Sequence, residues 1–164
     1  METFDSIERR ASVRGYQSKA VSKELLERVV DAGRRAPTAR GEEPWEFVVI
    51  VNKETLKELG GIANSGSFIK DAAACIAIFC RDTKYYLEDG CAATENILIA
   101  AQDLGLGACW VAGDKKPYIG EVSRLLAAPQ GSRLISLISL GWPAEKIKQN
   151  KTRQLRDVLH WERF

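Results

Sequence analysis

The stretch that decides the fold runs from residue 83 to residue 104 and reads TKYYLEDGCAATENILIAAQDL. Residues that recur at helical spacing form an apolar stripe along it: Leu87, Cys91, Thr94, Leu98 and Ala101. Its other sides are also poor in charge, and a helix that is apolar nearly all round lies inside a protein or in an interface. We therefore predict a buried central helix, with Asp82 as its N-cap and Gly105 as its C-cap.

The segments around this helix alternate between strand and helix patterns. Continuous apolar or β-branched runs predict buried strands at 46–51, 72–80, 108–111 and 134–140. Helical spacing and capping signals predict helices at 3–10, after Ser22, at 53–59 and at 117–126, with a loop over 62–70. Because the strands and helices do not alternate regularly, the expected fold class is an α+β layered sandwich in one domain, residues 1–164.

The composition is that of an ordinary globular protein, with 45% hydrophobic and 28% charged residues in 164. A net charge of +2 is too small to indicate a nucleic-acid or membrane-surface partner. No run approaches a membrane span, and the N-terminus lacks the apolar core of a signal peptide. We expect a cytoplasmic protein that contacts neither membranes nor nucleic acids.

The cysteine and histidine content argues against a metal site. There are 4 cysteines, none in a Cys-x-x-Cys pair, and a single histidine, His160. Three of the cysteines lie in apolar runs, which predicts buried free thiols.

A basic segment, RASVR, occupies residues 10–14. In an extended segment, residues two apart point the same way, so Arg10 and Ser12 could clamp a phosphate group together. Arg14 would then reach the polar edge of a ring attached to that phosphate. The alternative is an ordinary charged helix end followed by a turn.

Three further segments suit a ligand but have ordinary alternatives. Residues 36–45 (APTARGEEPW) end a helix and lead into a strand, and such loops often carry ligands. Residues 105–113 (GLGACWVAG) contain glycines that permit a close approach of the backbone, although they match neither a Walker loop nor a dinucleotide fingerprint. Lys151 and Arg153, in a basic run, could complete the charge around a phosphate. The ordinary alternatives are a plain helix-to-strand connection for residues 36–45, a buried turn and strand for residues 105–113, and a solvated basic face for the run with Lys151 and Arg153.

Taken in order, these motifs resemble the FMN-dependent nitroreductase family. The resemblance rests on Arg-x-Ser-x-Arg, Ala-Pro-Thr-Ala-x-x-x-x-Pro-Trp-x-Phe, the central helix, Leu-Gly-Leu-Gly-x-Cys-Trp, Leu-Gly-x-Pro and Lys-x-Arg. It covers the chain from Arg10 to about Arg153, and the order and spacing of the motifs carry it.

The resemblance implies a nitroreductase-like α/β sandwich with a central, mostly antiparallel sheet flanked by helices. It also implies an intertwined homodimer with two FMN sites at its interface and a C-terminal tail that reaches the partner. The implied activity is the ping-pong transfer of hydride from NAD(P)H, through FMN, to a nitroaromatic, a quinone or a similar small electron-poor acceptor.

The cofactor-binding residues that the resemblance implies fall into four groups. The first group, for the phosphate and the pyrimidine edge of the ring, is Arg10, Ala11, Ser12 and Arg14. The second, in a loop that the second subunit contributes, is Pro37, Thr38, Ala39 and Gly41. Ala112 and Gly113 lie near the reactive nitrogen of the flavin, and Lys151 and Arg153 form the second half of the phosphate site. No catalytic acid or base and no metal ligand are implied, because the cofactor carries the chemistry.

Two positions depart from the family pattern. Gly41 stands where the family often has Asn, and Glu43 stands where it often has Gln. Alternatives therefore stay open: other flavin chemistry (dehydrogenation, dehalogenation or flavin cleavage), a non-enzymatic flavin-binding dimer, and a small basic adaptor without flavin.

Overall fold

An antiparallel sheet of four strands forms the middle of the protein. The structure, a computed structural model, describes residues 2–164. The strands are β1 (Trp45–Ile50), β2 (Ala74–Cys80), β3 (Gly107–Ala112) and β4 (Arg133–Gly141), arranged in the order β1-β2-β4-β3. Each neighbouring pair is antiparallel, so β1 and β3 are the two edges.

Helices cover both faces of this sheet. They are α1 (Thr3–Arg9), α2 (Lys23–Arg34), α3 (Lys53–Ile62), α4 (Tyr86–Asp103) and α5 (Ile119–Leu125), with 3-10 turns at Ala39–Gly41, Ser67–Asp71 and Leu155–Asp157. Alternate strand residues such as Ile76 and Ile138 pack with α2 and α4, whereas Ala77 and Leu137 pack with α3 and α5. The predicted α+β sandwich, with a central antiparallel sheet between helices, is confirmed.

Local signals placed most element ends correctly. Ser22 is the N-cap of α2, and its side chain accepts a hydrogen bond from the Leu25 amide at 3.4 Å. Gly105 follows the end of α4 with a φ of +76°, a conformation that glycine adopts without strain. Each of the four predicted strands is present, with ends within two residues of the predicted ones.

Two predicted helix ends were wrong. The central helix begins at Tyr86, and the Asp82 carboxylate accepts two hydrogen bonds of 3.1 Å from the Arg133 guanidinium instead of capping it. Helix α3 continues through Gly60 and Gly61 to Ile62. Gly60 is needed for packing, since a Cβ there would lie 3.0 Å from the carbonyl oxygen of Ser67.

The cysteines match the prediction of free thiols. Cys75, Cys80 and Cys109 are buried, and Cys91 is partly buried. Within residues 2–164, no helix is long and apolar enough to cross a membrane. Nor does that part of the chain bring three metal-ligating side chains together.

Candidate functional site

The basic segment near the N-terminus lies along the edge strand β3. The Val13 amide donates a hydrogen bond of 3.0 Å to the Ala108 carbonyl, and Ser12 pairs with Ala108 as an isolated parallel bridge. A Cβ on Gly107 would lie 2.7 Å from Cγ1 of Val13, so this glycine makes room for the segment rather than for a ligand. Ala11 and Val13 are buried and Arg14 is exposed, as expected for an extended strand-like segment.

The Cys109 thiol lies close enough to Arg10, Ser12 and Arg14 for all three to act on its pKa. Burial raises the pKa of this thiol, while the charge of Arg14, a hydrogen bond with Ser12 and the charge of Arg10 act in the opposite direction. The Arg14 guanidinium donates to the Ser12 carbonyl at 3.4 Å, and its central carbon lies 5.7 Å from the centre of the Phe68 ring. Two guanidinium groups and a hydroxyl on one extended segment suit an anionic phosphate.

Arg10 already has an acidic neighbour on the central helix. Its Nε atom lies 3.8 Å from Oε1 of Glu95, with side-chain exposures of 20% for Arg10 and 48% for Glu95. Sequence reasoning missed this contact, because the apolar pattern of α4 predicts only which face is buried. It does not predict which residues contact the charged side chains of this helix.

The root of the C-terminal tail lies beside the same segment. The Gln149 side-chain amide donates to the Arg10 carbonyl at 2.9 Å and to the Ile7 carbonyl at 3.3 Å. Lys151 is two residues further on, and two residues of chain span at most about 7 Å. The Arg153 guanidinium donates to the Asp157 carbonyl within the tail.

The loop after α2 is held by a buried carboxylate that sequence reasoning missed. Asp89 on α4 is 4% exposed and accepts hydrogen bonds from the Thr38 hydroxyl at 2.9 Å and the Ala39 amide at 3.0 Å. The Thr38 oxygen in turn accepts from the Glu43 amide at 3.0 Å. The sequence feature that could have revealed Asp89 is an acid next to Gly90 on an otherwise apolar face of the helix.

The tip of this loop is exposed and has an unusual backbone. Arg40, Gly41 and Glu43 have φ angles of 59°, 68° and 43°. The Arg81 guanidinium donates to the Glu42 carbonyl at 2.6 Å, which gives the loop a second anchor besides Asp89. Pro37 and Gly41 are exposed at the surface.

The loop and the basic cluster approach the central helix from different sides. The loop contacts Asp89, and Arg10 contacts Glu95. Six residues of α-helix separate these acids, which corresponds to about 9 Å along the axis and about 120° between their directions. One chain alone therefore does not bring Thr38 next to Arg10.

Ala112 and Gly113 lie at the far end of β3. Ala112 is exposed, whereas Gly113 is buried and its amide donates to the Ile135 carbonyl at 2.9 Å. A Cβ on Gly113 would lie 2.7 Å from Cγ of Leu134, so packing on β4 already requires glycine there. Of the two residues, Ala112 is the one that the folded chain presents at its surface.

Two cavities flank these elements. One of about 450 Å³ lies on the other side of the basic segment and is lined by residues including Arg9, Ala11 and Val13. A larger one of about 640 Å³ lies between α2 and the edge strand β1, where Val49 and Val51 contribute to its lining.

Comparison with known proteins identifies the family. The sequence model of the nitroreductase family matches residues 7–86 and 68–142. A Methanothermobacter thermautotrophicus protein, provisionally named NADH dehydrogenase/NAD(P)H nitroreductase, is 34% identical over 172 residues, covering 100% of this chain and 88% of its own length. The chain belongs to the nitroreductase family, which confirms the resemblance read from the motifs.

Solved structures agree with this assignment. An FMN-dependent nitroreductase from Clostridium difficile superimposes with a TM-score of 0.92 at 28% identity, over 98% of this chain and 99% of that chain. A nitroreductase of provisional name from Desulfovibrio desulfuricans, solved in complex with FMN, has a TM-score of 0.83 at 27% identity, over 100% of this chain and 98% of its own.

The Asp89 network gives a first prediction. Asp89→Ala should lower the free energy of unfolding by about 2–4 kcal/mol, because it leaves the Thr38 hydroxyl and the Ala39 amide without their acceptor. Asp89→Asn keeps the shape and one acceptor oxygen and should cost less. Asp71→Ala, at an exposed aspartate, is the control and should change stability by less than about 0.5 kcal/mol. Equal small losses for Asp89→Ala and Asp71→Ala in urea unfolding would show that Asp89 does not hold the loop.

Proposed function

We propose that the protein is an FMN-dependent oxidoreductase that takes hydride from NAD(P)H and passes it to a small electron-poor acceptor, such as a nitroaromatic or a quinone. The observation that carries this proposal is the basic segment at the edge of β3, whose residues Arg10, Ser12 and Arg14 form the cluster next to the root of the basic tail. Family membership and the FMN-bound relative support the same cofactor.

The side chains of the cluster fit the cofactor's phosphate. Arg10 and Ser12 would donate hydrogen bonds to the phosphate oxygens, and Lys151 would add charge from the tail. Arg153 would join them on leaving its contact with Asp157. The Ala11 side chain is a methyl group, so this residue would contribute backbone groups only.

The remaining residues would hold the ring. FMN, when bound, supplies the hydride chemistry, and the protein supplies position and electrostatics. The positive charge of Arg14 would stabilise negative charge at the pyrimidine edge. Ala112 would approach the ring from the end of β3 with Gly113 behind it, and Pro37, Thr38, Ala39 and Gly41 would approach from the second subunit. NAD(P)H and the acceptor would occupy the exposed side of the ring in turn, which gives ping-pong kinetics.

A second copy of the chain would complete the site. Residues 151–164 are all exposed, and they carry five apolar side chains without cover: Leu155, Val158, Leu159, Trp161 and Phe164. At the edge of β1, Val49 and Val51 are 40% and 56% exposed beside the groove of about 640 Å³. We propose a homodimer in which each tail covers apolar surface of the other subunit and each Thr38 loop reaches the other subunit's cluster.

The departures at Gly41 and Glu43 favour a second candidate, namely other flavin chemistry on the same fold. Gly41 offers no side-chain amide, and Glu43 brings a carboxylate to an exposed position of the loop. A negative charge near the ring would disfavour its reduction and so lower its potential, which changes the range of acceptors.

The visible absorption spectrum tests the proposed function. The purified protein, supplied with FMN, should show a flavin spectrum that bleaches on anaerobic addition of NADPH or NADH and recovers with a quinone. A flavin spectrum that stays unbleached with both reductants would reject NAD(P)H as the donor and favour the second candidate. A protein that fails to take up FMN would reject the proposal as a whole.

Arg14 provides a specific prediction. Arg14→Ala should weaken FMN binding by about tenfold or more, or lower the flavin potential, because a charge-assisted contact to the ring is lost. The measurements are an FMN titration and a redox titration. Arg9→Ala removes the same charge at an exposed residue that lines the cavity on the other side of the segment, and it should change neither quantity. Unchanged binding and potential in Arg14→Ala would exclude this role.

The tail gives a prediction about assembly. Replacing Trp161 and Phe164 together by serine should raise the dimer dissociation constant by at least about a hundredfold, since two aromatic side chains per subunit lose their cover. Sedimentation velocity over a dilution series measures this constant, with Arg163→Ser as the control. These side chains are 81% and 107% exposed in the single chain, so their own subunit does not need them for folding. A dimer of unchanged strength would contradict the proposed tail exchange.

A further inference from the structure

The Arg10 guanidinium, the first of the proposed phosphate ligands, already lies beside a carboxylate. Glu95 approaches it to 3.8 Å from helix α4. The Arg10 side chain is 20% exposed, so its charge is largely enclosed, while Glu95 is 48% exposed at the rim. A phosphate that bonds Arg10 must therefore share this guanidinium with a second anion.

We propose that Glu95 competes with the cofactor phosphate for Arg10 and thereby sets how tightly the protein retains FMN. This inference rests on the proposed FMN site. A phosphate within hydrogen-bonding distance of Arg10 lies a few ångströms from the Glu95 carboxylate, and like charges at that separation repel. At a half-exposed site this repulsion lowers the affinity for a dianion by about tenfold.

The residues on either side of Glu95 hold helix α4 in place. The Thr94 hydroxyl shares a hydrogen bond of 2.9 Å with the Ser136 hydroxyl, and the Asn96 amide donates to the Ala32 carbonyl at 3.0 Å. These two contacts anchor α4 to β4 and to α2. The Arg10–Glu95 pair has one half-exposed partner and a separation of 3.8 Å, so it is not among the contacts that hold α4 in place. Its charge acts on the Arg10 guanidinium.

The backbone of Arg10 is fixed independently of Glu95. Its amide donates to the Ser6 carbonyl at 3.0 Å, and its carbonyl accepts from Gln149 at 2.9 Å. Removing the Glu95 charge therefore leaves the arginine in place and frees its guanidinium for the phosphate. Glu95 acts through Arg10 and touches no reacting atom, so it is a positioning residue.

The test compares two ligands that differ by the phosphate alone. The apoprotein is titrated with FMN and with riboflavin, and binding is followed by quenching of flavin fluorescence. Glu95→Gln should lower the FMN dissociation constant by about tenfold and leave the riboflavin constant unchanged, since only FMN carries the dianion. Glu95→Ala removes the same charge with a different side chain and should give the same ratio, and Glu95→Asp, which keeps the charge, should return it towards that of the unaltered protein.

Glu88→Gln is the matched control. Glu88 lies on the same helix, is also exposed, and is seven residues earlier, which places it about 10.5 Å along the axis, near one Debye length at 0.1 M salt. It should change the ratio of the two dissociation constants by less than about twofold. Thermal unfolding of every variant confirms that the comparison concerns folded protein.

The outcomes separate this inference from the proposed function. If the unaltered protein binds FMN no more tightly than riboflavin, the phosphate site itself is rejected. If it prefers FMN but Glu95→Gln and Glu95→Ala leave the preference unchanged, competition by Glu95 alone is rejected. Weaker FMN binding in both variants would also reject competition, because Glu95 would then orient Arg10 for the phosphate.

Discussion

The pairing of the N-terminal segment with strand β3 is the contact on which the candidate site depends. The amide-to-carbonyl hydrogen bond of 3.0 Å from Val13 to Ala108 extends the sheet edge. It is possible because Gly107 has no side chain where Val13 packs. Once the segment is strand-like, Arg10 and Ser12 fall on the same side by the two-residue period of an extended chain.

Helix α4 contacts both halves of the candidate site, the Thr38 loop and the basic cluster, at different places along its length. Asp89, near its start, holds the Thr38 loop, and Glu95, near its middle, faces Arg10. Because the two acids point to different sides of one helix, the loop that Asp89 holds lies away from the cluster of its own chain. A site that uses both halves requires a second copy, which is the physical reason for proposing a dimer.

The sequence predicted what local signals determine and missed what distant contacts determine. The strands, the Ser22 cap and the left-handed Gly105 follow from residue type and spacing within a few positions. Asp82 looked like a helix cap, yet it pairs with Arg133, 51 residues away. Asp89 likewise acts on a loop 50 residues earlier, at Ala39. Such partners are set by how strands and helices pack against one another, which spacing along the chain does not reveal.

The position of Arg153 connects cofactor binding to assembly. In the single chain its guanidinium donates to an exposed carbonyl of the tail, a contact that water can replace at little cost. A phosphate beside Arg10 offers a charge-assisted bond instead, which is stronger. In the proposed dimer, the tail that buries its apolar residues on the partner is also the tail that delivers Lys151 and Arg153. Under this proposal, FMN binding and assembly use the same segment, so FMN would stabilise the dimer to the extent that the dimer binds FMN more tightly than the single chain.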